Sequence, residues 1–436
     1  MSEAERPSKS DARRRLTLFD VLCIGVNATV GSGVFALPDD MHRAMGGWSP
    51  LAYLLCAVLL LPVALCFAEL SGRFDETGGA YVFARHAFGE KAGFLIGWYC
   101  WANTFVSWAA NTTFFVELLG VPASIQKPLC VAMILALGGV NYFGVKPGAW
   151  VVNLVVIGKL GAIFCFLAVA VFAMKAGHLG GALPLGAAGV GQGIYLALFP
   201  LQGFEVTPVT AGETANPRRN VPLGTMGALL GSTLLFVLVQ AVLVASYPSL
   251  GADSQHPLLD GARYLGPTIG LIVAIGSFIS IGGFTAGSAL GSPRYAEAIA
   301  AHGLLPAPLA KVHERWSTPY VAILVTTGLT AVLALFFDYR QLVGMSNITV
   351  VIQYFFTCVA VIAIRRKLAK KGDEGSPPSR RGFVIPGGPV VPALGAIGSL
   401  FLFVSADKAE FVFAGATIVL GVVVALLSRK RVGPAT

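Results

Sequence analysis

The chain has 436 residues, of which 55% are hydrophobic and only 12% charged, and its mean hydropathy is +0.74. This composition excludes an ordinary soluble domain, and the runs 51–68 and 229–247 contain no charged residue. At about 1.5 Å per residue each can cross about 30 Å of hydrocarbon, so the lipid bilayer is the expected environment and the fold class is all-α transmembrane. The net charge of +9 would suit a polyanion in a soluble chain. In a membrane chain it is first a matter of which loops hold the Lys and Arg, and nucleic acid is not an expected partner.

In chain order, residues 1–17 are a polar, basic tail with Arg13, Arg14 and Arg15 and no cleavable signal, so the first helix serves as its own insertion signal. Helices are expected at 18–44, 49–73, 93–119, 128–143 and 149–174, then at 190–214, 222–247, 267–300, 318–337 and 341–364. A charged linker at 365–383 precedes two accessory helices within 384–428, and 429–436 is a second tail. The reading gives twelve spans. Of 31 Lys and Arg, 24 fall on the side of the two tails, 6 on the other side, and Lys159 within a helix. Both termini are therefore expected in the cytoplasm. The seven cysteines lie in apolar segments without a CxxC pair, and the six histidines lack ligand spacing. Neither a disulfide, a metal site nor a cofactor is expected.

Two of these segments are interrupted. In the first, Gly31-Ser32-Gly33 falls about where the segment crosses mid-membrane, and each Gly lowers helix propensity by about 1 kcal/mol relative to Ala. In the sixth, Phe199-Pro200-Leu201-Gln202-Gly203-Phe204-Glu205 sets a Pro, a Gly and an acid in an apolar run. A helix that opens in hydrocarbon must bury its freed N–H and C=O groups in protein or line a polar cavity with them. Matched breaks in the first and sixth helices point to an inverted-repeat transporter with its site at the midplane.

Two charges stand where the membrane makes them expensive. Lys159 lies ten residues past Ala149, about 15 Å into the fifth helix. An ammonium there costs at least about 2.5 kcal/mol on insertion scales and should face the bundle interior. It is either an internal or titrating cation in place of a coupled ion, or a structural Lys on a broken helix's carbonyls. Glu205 is either a proton carrier or cation binder beside the second break, or a protonated bridge between helices. Glu69 stands four residues before Arg73 and reads as a structural or gate-related i,i+4 pair.

The chain also resembles a known superfamily. Val30-Gly31-Ser32-Gly33-Val34-Phe35, Ala68-Glu69-Leu70-Ser71, Gly78-Gly79-Ala80-Tyr81 and Gly97-Trp98 carry the likeness in the first half. Gly203-Phe204-Glu205, Asn216-Pro217-Arg218-Arg219-Asn220-Val221-Pro222, Ser292-Pro293-Arg294, Gly303-Leu304-Leu305-Pro306 and Thr318-Pro319 carry it in the second. Over about residues 16–320 these stretches resemble the amino acid/polyamine/organocation superfamily, while the last helices match by hydropathy only.

The resemblance implies a LeuT-type fold, a 5+5 inverted repeat over 18–364 with helices 1 and 6 broken, and an amino acid substrate moved by alternating access with a proton as coupling partner or by exchange. It implies that backbone N–H groups of Gly31, Ser32 and Gly33 hold the substrate carboxylate, where a half-helix N-terminus also offers a positive dipole end. Carbonyls of Thr29, Phe199 and Gln202 would hold the ammonium beside Gly203. Phe199 would cap the site and Phe204 would shape the side-chain pocket. Lys159 matches a lysine that fills the sodium site of sodium-coupled relatives, with Ser288 as its hydroxyl partner. Asn27 departs from the small Gly that relatives carry near that lysine. A polyamine or amine exchanger, favoured if Glu205 binds a cationic substrate, and a non-transporting amino acid sensor are the alternatives. Nothing suggests an enzyme, and oligomeric state is left open.

Overall fold

The computed structural model describes residues 16–74, 78–144, 149–370 and 383–429. Among the described residues the structure is helical, with no strand beyond two isolated bridge pairs. It begins with α1 (Leu18–Thr29), started by a capping box in which Asp20 N–H donates to Thr17 Oγ1 (3.3 Å) and Thr17 N–H to Asp20 Oδ2 (2.9 Å). Helix geometry stops at Thr29 and resumes in α2 (Gly33–Ala36) and α3 (Pro38–Met45). Then come α4 (Pro50–Ser71), α5 (Ala80–Phe88), α6 (Glu90–Leu118), α7 (Ala123–Tyr142) and α8 (Ala149–Ala170). The next, α9 (Gly186–Leu201), ends one residue after Pro200, and the chain continues past Gly203 (φ +120°) as a 3₁₀ segment, Phe204–Glu213. The rest is α10 (Pro217–Ser246), α11 (Pro257–Leu265), α12 (Pro267–Ala301), α13 (Tyr320–Phe336), α14 (Tyr339–Lys370), α15 (Val390–Val404) and α16 (Lys408–Arg429).

Seven of these helices are individually long and apolar enough to cross a bilayer, and the chain is a multi-pass membrane protein. The main segments lie where hydropathy places them, with ends shifted by no more than six residues. The structure adds the short α5 and α11, whose charged and apolar residues alternate too closely for hydropathy to mark them. It also corrects the inner half of the sixth segment from α to 3₁₀ geometry. Residues 1–15 of the first tail, most of the 365–383 linker and residues 430–436 of the second tail lie outside the described residues.

The two interrupted segments lie side by side and antiparallel. Leu16 bridges Thr214 where α1 begins and the 3₁₀ segment ends, and Gly47 bridges Gly180 beyond α3 and before α9. The first pair marks what we call the N-terminal face and the second the opposite face. Around them α4 packs on α10, α6 on α14 and α12, and α12 on α8. On α8 the residues Trp150, Leu154, Ile157 and Phe164 are exposed, whereas Val156, Lys159, Ile163, Phe166 and Ala170 are buried. Those two sets are opposite stripes at helical spacing, and the apolar outer stripe, suited to lipid, turns Lys159 to the interior. On the N-terminal face the fully buried Glu69 accepts from Arg73 Nη2 (2.9 Å), Arg365 Nε (2.9 Å) and Ile385 N–H (2.9 Å). That carboxylate ties α4 to the end of α14 and to the approach to α15.

Candidate functional site

The two interruptions meet at the centre of the molecule. A β-carbon at Gly203 would lie 2.4 Å from Ala28 O and 2.7 Å from Thr29 N, and one at Gly33 would lie 2.6 Å from Pro200 Cγ. Only glycine lets the backbones approach this closely, and at Gly203 the positive φ requires it as well. Thr29 Oγ1 donates to Gly25 O (2.9 Å) in the last turn of α1, and Gly31 N–H turns back onto Thr29 O (3.0 Å). Ser32 N–H donates to Asn111 Oδ1 on α6 (2.8 Å), and the Tyr339 hydroxyl on α14 donates to Ser32 Oγ (3.0 Å).

Lys159 reaches the first interruption from α8. Its Nζ donates to Val30 O (2.7 Å) and Asn27 Oδ1 (3.0 Å) and lies 3.5 Å from Asn27 O. The structure thus brings Asn27 and Lys159 into contact. The hydroxyl that shares Val30 O is Ser280, at 3.0 Å. Ser288 lies eight residues, about 12 Å, further along α12 and faces the cavity instead.

Glu205 is drawn into its own break. Its Oε2 accepts from Gly203 N–H (2.7 Å) and from the Tyr354 hydroxyl (2.8 Å), so it caps the start of the 3₁₀ segment. Phe204 is fully buried, stacked on Tyr354 (5.3 Å between ring centres) with its edge to Phe67 (6.0 Å). It packs the core between α4 and α14 and is absent from the cavity wall, contrary to the expectation that it shapes a side-chain pocket. The left-handed turn at Gly203 is the physical reason, because it swings the next side chain away from the site.

A cavity of about 300 Å³ extends from the interruptions toward the N-terminal face. Ile24, Asn27 and Ala28 of the first segment, Gln202, Gly203, Glu205, Val206 and Val209 of the sixth, and Phe284, Ser288 and Tyr295 of α12 line it. Asn103, Thr104 and Ser107 of α6 complete the polar side. Ser346 Oγ lies 2.8 Å from Asn103 Oδ1 and Ser107 Oγ and 3.2 Å from Gln202 Oε1, while Gln202 Nε2 has no partner among the described residues. Thr29, Gly31, Ser32 and Gly33 lie behind this wall. Phe284 lines the cavity and comes within 3.2 Å of where a Gly31 β-carbon would stand, so it screens the interruption.

Sequence reasoning missed the α6 residues. Asn103, Ser107 and Asn111 recur every fourth residue on one face of α6, which was a readable signal.

Toward the opposite face the path is shut. Phe199 sets its ring edge-on to Tyr339 (6.2 Å, 88°), and Tyr339 also packs on Phe114 (5.1 Å). Outside them Arg43 Nη1 pairs with Asp253 Oδ1 (2.7 Å), and Arg340 Nη2 with Asp40 Oδ1 (3.1 Å) and Asp253 Oδ1 (3.2 Å). Asp39 Oδ1 accepts from Gly251 N–H (2.6 Å). Hydrogen bonds from Arg43 and Arg340 hold the Asp253 carboxyl below the usual carboxylate range. This cluster joins α3, α14 and the loop after α10.

These features define a polytopic membrane protein with a central cavity beside two facing interrupted helices. The family profile described as amino acid permease matches residues 16–423, and the chain belongs to that family, within the amino acid/polyamine/organocation superfamily. It is 28% identical to the branched-chain amino acid permease BcaP of Bacillus subtilis, over 98% of this chain and 96% of that protein. It is 30% identical to cationic amino acid transporter 4 of Mus musculus, over 88% of this chain and 64% of that one. The methylthioribose transporter of Bacillus subtilis is 26% identical, with 98% and 96% covered. The family and these relatives are transporters, not enzymes.

Proposed function

We propose that the chain is a secondary transporter that moves amino acids across the plasma membrane by alternating access, independently of sodium, by proton-coupled symport or by exchange. The two interrupted segments are then helices 1 and 6 of a twelve-span 5+5 inverted repeat at 18–364, followed by the linker 365–383 and two accessory helices at 384–428. The Lys and Arg distribution makes the N-terminal face cytoplasmic, and the cavity on that side would be the inward-facing arm of the cycle.

The observation that carries this reading is the position of Lys159, whose ammonium lies 2.7 Å from Val30 O and 3.0 Å from Asn27 Oδ1. Oxygens of an opened helix are what a bound sodium ion would need, and here a fixed side-chain cation takes them. Gly31, Ser32 and Gly33 are the proposed carboxylate donors, and the carbonyls of Thr29, Phe199 and Gln202 beside Gly203 the ammonium acceptors. Lys159 is the proposed coupling group with Asn27. The amine-exchanger reading needs Glu205 free for a cationic substrate, and its Oε2 already serves Gly203 N–H and Tyr354. That favours amino acids over amines.

The test is uptake of labelled leucine, alanine, arginine and putrescine into proteoliposomes, with sodium present or replaced by choline. Amino acid uptake indifferent to sodium is expected. Strict sodium dependence, or uptake of putrescine alone, would overturn the reading. Binding without counterflow of any solute would identify a sensor.

A further inference from the structure

Two donors of the proposed carboxylate site are already taken, Gly31 N–H by the neighbouring Thr29 O (3.0 Å) and Ser32 N–H by a side chain from another helix. Ser32 N–H, fully buried, donates to Asn111 Oδ1 at 2.8 Å. The amide of Asn111 is oriented without ambiguity, because its Nδ2 donates to Ser107 O one turn earlier on α6, at 2.9 Å. Asn111 is itself 1% exposed. Its oxygen lies close enough to the interruption that a β-carbon at Gly31 would be 2.9 Å from it.

Backbone N–H groups freed by an opened helix must have a partner when no ligand is present, since a buried unsatisfied donor is costly. An amide oxygen is the neutral counterpart of a carboxylate oxygen, with the same sp² geometry and no charge. A substrate carboxylate makes the stronger, charge-assisted bond and can displace it.

We propose that Asn111 is a positioning residue whose side-chain oxygen stands in for the substrate carboxylate on Ser32 N–H, so that substrate binding is an exchange of one acceptor for another. The inference rests on the proposed reading that Ser32 N–H holds the carboxylate. The exchange holds the interruption in shape while the site is empty. It also lowers affinity for every carboxylate-bearing ligand by the hydrogen bond that must be surrendered, and leaves ligands without a carboxylate unaffected.

The test is equilibrium binding of labelled leucine to purified full-length protein in nanodiscs, with competition by unlabelled leucine and by isopentylamine, the same skeleton without the carboxylate. Asn111→Ala and Asn111→Ser both free Ser32 N–H, and the shorter Ser cannot span to it. Each is expected to tighten leucine by about threefold to tenfold, the worth of one ordinary hydrogen bond, with the isopentylamine constant unchanged. Melting of each variant followed by intrinsic fluorescence shows that it is folded, and Ser serves if Ala is not. An unchanged leucine constant, weaker leucine binding, or an equal shift for leucine and isopentylamine would overturn the proposal. Wild type that binds no amino acid would overturn the transport reading itself, and this inference with it.

Discussion

Gly203→Ala probes the contact between the two interruptions directly. The added β-carbon would lie 2.4 Å from Ala28 O and 2.5 Å from Ala28 C, against ordinary contacts of 3.4 Å or more, so the two segments must part by about 1 Å. Overpacking of that kind costs about 1–3 kcal/mol, and holding a non-glycine residue at φ +120° adds about 1–3 kcal/mol of backbone strain. Reduced freedom of the unfolded chain returns about 0.4–1 kcal/mol. The net destabilisation is a few kcal/mol and falls at the site, because the hydrogen bond from Gly203 N–H to Glu205 must shift with the backbone. Thermal unfolding in detergent and uptake by proteoliposomes are the assays. A lower melting temperature together with a raised KM is expected. The control is Gly231→Ala in α10, where a β-carbon meets nothing within 4 Å and the gain in helix propensity is about 1 kcal/mol. It should melt at or above the wild-type temperature. A Gly203→Ala protein with wild-type melting and wild-type KM would refute the reasoning.

Glu69→Gln removes the charge that Arg365 and Arg73 share in a fully buried position. It leaves two partly exposed guanidiniums without their counter-charge and should cost about 1–3 kcal/mol, read as a lower melting temperature. Ser280→Ala should lower stability by about 1 kcal/mol through the lost bond to Val30 O, while Ser288→Ala should change uptake kinetics and leave melting unchanged. On the opposite face, Asp253 is held in its charged form by Arg43 and Arg340. Its folded-state value is depressed, so its contribution is present above the usual carboxylate range and disappears as pH falls through and below about 4. The melting temperature should drop through that acid window, and Asp253→Asn should lower it at neutral pH and reduce the drop.

Much of the central site was legible because membrane energetics leave few explanations for certain residues. Two Gly around a Ser in one apolar run, and a Pro, a Gly and an acid in the other, mark backbone that must open, and the structure interrupts the helices at Val30–Ser32 and Gln202–Gly203. Lys159 was legible because an ammonium at that depth has to find oxygens, and it finds Val30 O and Asn27. What stayed hidden depends on rotation about helix axes. Ser280 and Ser288 both lie on α12, and hydropathy does not say which hydroxyl shares Val30 O with Lys159. Phe204 was misplaced because the turn at Gly203 and the 3₁₀ geometry after it redirect side chains relative to an α-helix. Asn111 was readable only as part of the 103, 107, 111 stripe, since a single Asn in a membrane helix is as often bonded to its own preceding turn.

The most direct test of a lysine standing in for the coupled ion is amino acid uptake by proteoliposomes with and without an inward proton gradient, for wild type and Lys159→Ala. Uptake stimulated by the gradient in wild type, or dependent on internal substrate if the protein is an exchanger, is expected to be lost when Lys159 is removed. Full coupled uptake by Lys159→Ala, unaltered in rate and in its response to the gradient, would contradict the role assigned to Lys159.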